Sequence, residues 1–110
     1  MKFEVTGHIA LVFENQTSTI DFFKTFENIY PNIQSKNIIV SLADFQISAS
    51  DFIEKILKIS ESHQKGKRSF VIVSPTAVPD KLPEALIWAP TIQEAKDLIE
   101  MDEMQRDLGF

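Results

Sequence analysis

The apolar positions of this chain fall into blocks whose period changes along its length. Ile38, Ile39 and Val40, followed by Leu42, make a β-branched run too short for a helix, which predicts a buried strand. A polar stretch follows, with Asp44, Gln46, Ser48, Ser50 and Asp51 and the lone aromatic Phe45. The period then lengthens. Phe52, Ile53, Ile56, Leu57 and Ile59 recur at the three-to-four-residue spacing of one buried helix face. Ser48 and Asp51 stand at the spacing of a capping box, and Gly66 is placed to close the helix. The central unit is thus strand, polar turn, helix. In a parallel sheet that junction exposes binding groups, and the helix N-terminus favours anions.

The flanking segments extend the same architecture. Weak alternation over residues 2–5, the Thr6-Gly7 turn, and Ile9, Leu11 and Phe13 interleaved with Ala10 and Val12 predict a β-hairpin. Ser18 to Asp21 fits a capping box for a helix carrying Ile20, Phe23, Phe26 and Tyr30, widened by Phe22 and Ile29, with Pro31 as its predicted end. After Gly66, Phe70, Val71, Ile72 and Val73 predict a second buried strand, so strand, helix and strand form a βαβ unit. Pro75, Pro79 and Pro83 predict a loop, and residues 85–89 a third strand. Thr91 to Glu94 is a further capping box. It opens a last helix with Ile92, Ala95, Leu98, Ile99 and Met101 on the apolar side and Gly109 as its stop. The expectation is one α/β domain over residues 1–110, with a mixed, mostly parallel sheet flanked by helices.

Composition narrows the function classes. A chain of 110 residues with 44% hydrophobic and 25% charged residues is expected to fold around a core. With Cys 0, disulfides, thiolate metal sites and cysteine nucleophiles are excluded together. The net charge of −5 opposes nonspecific DNA binding, which needs a basic face. No apolar run reaches bilayer length and the first residues lack a signal-peptide core, so a cytoplasmic location off the membrane is expected.

The candidate chemistry is sparse. Ser48 and Ser50 are possible phospho-acceptors, because added negative charge suits a helix N-terminus; the plainer reading is that they cap the helix. Asp44 and Asp51 could pair as acids or hold Mg²⁺, but such residues more often cap and solvate a turn. His8 and His63 have no metal-ligand partner at readable spacing and are expected on the surface or at a helix end. Lys65, Lys67 and Arg68 suggest helix C-terminal charge compensation, or a docking point for an acidic partner or an RNA end. Trp88 is expected in the core, with a pocket wall as the alternative. No clustered acid, base and nucleophile, and no glycine-rich phosphate loop, is readable. Cofactors and metals are therefore expected to be none.

The order hairpin, helix, strand, helix, strand, loop, strand, helix resembles the STAS domain, the sulfate transporter and anti-sigma factor antagonist family. Residues 37–42 are similar to the strand before that family's signature turn. Residues 44–51, Asp-Phe-Gln-Ile-Ser-Ala-Ser-Asp, take the place of the signature, typically aspartate-serine-serine-glycine. Lys65-Gly66-Lys67 with residues 69–73, and residues 86–95, resemble the family's later segments. The departures are specific: the signature aspartate falls at Ser48, the phospho-acceptor nearest Ala49 or Ser50, and the glycine at Asp51. The proline-rich stretch stands where the family usually has a helix. The resemblance implies a noncatalytic, anti-sigma factor antagonist-like regulatory or adaptor module, a monomer or weak dimer, that binds a protein partner such as a kinase-like anti-sigma factor. Its contact surface would be Asp44, Phe45, Gln46, Ser48, Ser50 and Asp51 with the exposed face of the next helix. The ending, residues 99–110, is also similar to short proteins, chiefly of Bacteroidetes, whose genes often neighbour ribonuclease Z and some of which carry its name. That implies, as an alternative, an accessory of an RNA-processing nuclease. The zinc chemistry of that enzyme does not fit a chain with two histidines and no cysteine. An anion- or nucleotide-binding module is the remaining alternative.

Overall fold

The computed structural model describes residues 2–13, 19–42, 50–74 and 83–108, leaving aside the side chains of residues 19–21, 50 and 51. Its elements are β1 (Lys2–Thr6), β2 (Ile9–Phe13), α1 (Thr19–Ile33), β3 (Asn37–Ser41), α2 (Ser50–Lys65), β4 (Phe70–Val73), β5 (Trp88–Ala89) and α3 (Ile92–Asp107). The strands form one five-stranded sheet in the order β1-β2-β3-β4-β5. β1 is antiparallel to β2, and every later pair is parallel. A parallel neighbour requires a crossover, and α1 and α2 supply those from β2 to β3 and from β3 to β4.

The protein is a small α/β domain with helices on both faces of a mixed sheet. Strand alternation sorts the apolar side chains into two cores. Ala10, Val12, Ile38, Val40, Phe70 and Ile72 face α1 and α2, where they meet Phe22, Phe23, Phe26, Ile33, Phe52 and Ile56. Ile39, Val71, Val73 and Ala89 face α3 and pack on Ala95 and Ile99. β3 and β4 are buried on both faces, as the unbroken apolar runs predict. The hairpin, the βαβ unit and the Thr91 cap are present as expected; Thr91 Oγ1 accepts from the Glu94 N–H at 3.1 Å.

Several expectations require correction. Pro31 lies inside α1, which continues to Ile33. So near the C-terminus, the missing N–H forfeits a single helical bond, and burial of Ile33 holds the last turn in place. The third strand shortens to Trp88–Ala89, and Trp88 is half-buried because β5 is the sheet edge. Met101 is 57% exposed. At 3.6 residues per turn it stands on the far side of α3 from Ile99. α2 begins at Ser50, and the expected Ser48 cap lies outside the described residues.

Gly66 follows α2, but Lys67 takes the left-handed conformation, with φ 61°. The N–H groups of Gly66 and Lys67 reach back to the His63 and Gln64 carbonyls at 3.1 and 2.9 Å. A side chain at a left-handed position is strained, so Lys67→Gly should raise stability by about 1 kcal/mol. Gly66→Ala should be nearly neutral, because a Cβ there would meet only the His63 carbonyl at an ordinary 3.5 Å. Urea denaturation of both variants checks the contrast; a loss in Lys67→Gly would place the αL cap elsewhere.

Candidate functional site

Two surfaces flank the helical layer, one apolar and one polar. The first is a groove of about 340 Å³ between α1 and α2, lined by Phe26, Glu27, Tyr30, Pro31, Lys58, Ile59 and Ser62. Phe26 forms its buried floor, Tyr30 and Ile59 are half-buried walls, and Glu27 and Lys58 stand exposed at the rim. The groove exists because the inward stripes of both helices are anchored deeper down. Phe26 packs on Tyr30 and Phe70 at ring separations of 5.8 and 6.2 Å, leaving the outer edges of Tyr30 and Ile59 without cover from the sheet.

Beneath the groove lies His63, in the last turn of α2 as expected but 3% exposed rather than on the surface. Its Nε2 stands 2.8 Å from the Lys36 carbonyl and its Nδ1 2.7 Å from the Tyr30 hydroxyl. A carbonyl only accepts, so Nε2 carries the hydrogen, and Nδ1 accepts from Tyr30. Burial lowers the His63 pKa from its ordinary value; the Lys36 carbonyl opposes this and the Arg68 charge adds to the lowering. Burial likewise raises that of Tyr30. His63 stands one heptad after Ile56 and shares its face with Ser60, which is also fully buried. That spacing was the signal by which periodicity alone could have placed it inside.

The second surface lies at the start of the parallel strands. The inner stripe of α3 changes character along the helix, from Ala95 and Ile99 to Asp102, Glu103 and Arg106. Buried Asn37 donates from Nδ2 to Glu103 Oε1 at 2.6 Å, and its Oδ1 accepts from the Ser69 N–H at 2.7 Å. Ser69 Oγ donates to Asp102 Oδ2 at 2.9 Å, and Arg106 reaches both Ser69 Oγ and Asn37 Oδ1 at 3.3 and 3.4 Å. This network ties β3, β4 and α3 together and gives the buried side chains of Asn37 and Ser69 their partners. Beside it opens a polar cleft of about 380 Å³, whose lining includes the exposed His8, Lys67 and Asp107 and the half-buried Arg68, Glu103 and Arg106. Arg68 is partly structural: its Nε and Nη1 donate to the Ser35 and Gly66 carbonyls at 2.6 and 3.2 Å.

Of the sequence-derived site, Asp44, Phe45, Gln46 and Ser48 lie outside the described residues. Ser50 and Asp51 open α2, the element that follows β3 in chain order. Ser74, at the matching end of β4, has a buried hydroxyl with no hydrogen-bond partner among the described residues. No group of three or more His, Cys, Asp or Glu among the described residues could hold a metal ion. Nor is any helix among them long and apolar enough to cross a membrane. Compared with known proteins, the chain matches no family model, and no curated protein matches it either.

Proposed function

We propose that this chain is a noncatalytic, cytoplasmic regulatory or adaptor domain of STAS type, which binds a protein partner such as an anti-sigma factor along α2. The observation that carries this reading is the α1–α2 groove, whose exposed wall is apolar and whose rim offers one acid, Glu27, and one base, Lys58. That composition suits a partner segment that buries an apolar side chain between a basic and an acidic flank. The sequential strand order and the two helix crossovers support the STAS reading. From Ser50 to Ser62, α2 spans about 18 Å, so one partner laid along the helix can touch both its N-terminal turn and the groove. The polar cleft suits the alternative, an anion site, less well: Glu103 and Asp107 line it beside Lys67, Arg68 and Arg106 and offset their charge.

The test is affinity capture from the native lysate, identification of the bound protein, and titration of that protein against purified variants. Ile59→Glu and Asp44→Lys should each weaken binding about tenfold or more with the fold intact. Ser48→Ala and Ser50→Ala should weaken it only if mass spectrometry of protein from growing cells shows phosphate on them. Unchanged binding by both Ile59→Glu and Asp44→Lys would sink the reading, as would turnover of RNA by the purified chain.

A further inference from the structure

The sheet has two edges of unlike character. β5 is a two-residue edge, too short to template another strand. β1 is five residues long and exposed throughout. Its pairing with β2 closes on Thr6 and Ile9 around the two-residue turn Gly7-His8, with Gly7 at φ 60°. In such a hairpin the closing pair is hydrogen-bonded across the turn, and the pattern alternates from there. Thr6, Glu4 and Lys2 therefore turn their backbone groups toward β2. Phe3 and Val5 turn theirs outward, to an edge without a further strand among the described residues.

The side chains divide in the same way. Phe3 and Val5 stand opposite Val12 and Ala10, hence on the face that α1 and α2 cover farther along the sheet. Over β1 that cover is missing: Ala10 and Val12 are fully buried, whereas Phe3 is 36% and Val5 45% exposed. Lys2 and Glu4 lie on the opposite face, beyond the reach of α3, which packs on β3, β4 and β5.

We propose that β1 pairs antiparallel with β1 of a second copy of this chain, in the register that sets Phe3 opposite Phe3. Outward backbone groups on both copies then form a hydrogen-bonded pair at Phe3. On the other face, Lys2 of each copy meets Glu4 of the other, twice per dimer. These are non-hydrogen-bonded pairs, the kind with the closer side chains. Of the competing registers, the one centred on Glu4 sets two carboxylates directly opposite each other, and the one centred on Val5 sets Glu4 opposite Thr6 and forgoes both ion pairs, so each is disfavoured. Charge complementarity of the strand with itself thus selects both the occupant, an identical strand, and its register. The paired Phe3 rings cover the apolar patch that the helices leave open.

Sedimentation equilibrium of the full chain at low salt, from micromolar to millimolar concentration, reads the dimer. Lys2→Glu and Glu4→Lys should each raise its dissociation constant about tenfold, because attraction becomes repulsion at two symmetric contacts. An equimolar mixture of the two variants should restore wild-type association, since the mixed dimer again faces opposite charges. Phe3→Pro should abolish association with the circular dichroism spectrum unchanged, because the lost N–H is one that β2 does not use. A chain monomeric at every concentration overturns the proposal. So does a dimer indifferent to the single charge reversals, or a mixture that fails to restore it.

Discussion

Replacing Phe22 by alanine should lower the free energy of unfolding by about 3–5 kcal/mol. Phe22 is fully buried and holds the centre of an aromatic cluster. Its ring lies 5.0 Å from Phe23, 5.9 Å from Phe26 and 5.2 Å from Phe52. Truncation removes the transfer energy of the ring and also leaves three neighbours facing a void that two helices and a sheet cannot all close. Domains of this size have stabilities of about 5–15 kcal/mol, so the variant should be marginal. Ile56→Ala, buried in the same layer, should cost about 2–5 kcal/mol. Met104→Ala, 63% exposed on α3, should stay within about 0.5 kcal/mol of the parent. Urea unfolding gives all three values. A loss under about 1 kcal/mol at Phe22 would mean that α1 is not seated on the sheet as described.

His63→Ala should remove about 2–4 kcal/mol, because it empties a buried site and strips two half-buried groups of their partner at once, the Tyr30 hydroxyl and the Lys36 carbonyl. The wild-type imidazole also makes stability depend on pH. Its folded pKa is held below the ordinary 6.5 chiefly by burial. Below about pH 6.5 the unfolded chain therefore takes up a proton that the folded chain resists. The contribution is fully present above that pH and is lost as the pH falls toward the folded pKa. His63→Gln should abolish this share of the acid sensitivity while its amide can still reach Lys36. Comparing urea midpoints of parent and variant between about pH 7.5 and about pH 5 checks the sign. Equal slopes in the two proteins would show that His63 titrates in the native state as it does in the unfolded chain.

Much of this molecule follows from the order of its residues. Alternation places β2, unbroken apolar runs place β3 and β4, and a period of three to four places α2 and α3. The Thr91 cap and the Thr6-Gly7 turn are chemical statements of one short segment about itself, so no distant contact is needed to make them true. Of the expected strand-turn-helix junction, β3 and α2 are present, and the turn between them lies outside the described residues. What local pattern misjudged were positions settled by neighbours far along the chain. Pro31 continues a helix because Ile33 beyond it is buried. Lys67, not Gly66, takes the left-handed turn that leads into β4. His63 reads as a polar helix-end residue, yet Tyr30 and Lys36, some thirty residues earlier, satisfy both its nitrogens and make burial affordable. Asn37, Ser69, Asp102, Glu103 and Arg106 form one network only because β3, β4 and α3 converge there. Periodicity registers which face of an element avoids water; which polar groups meet inside depends on how separate elements pack, and that only the tertiary structure decides.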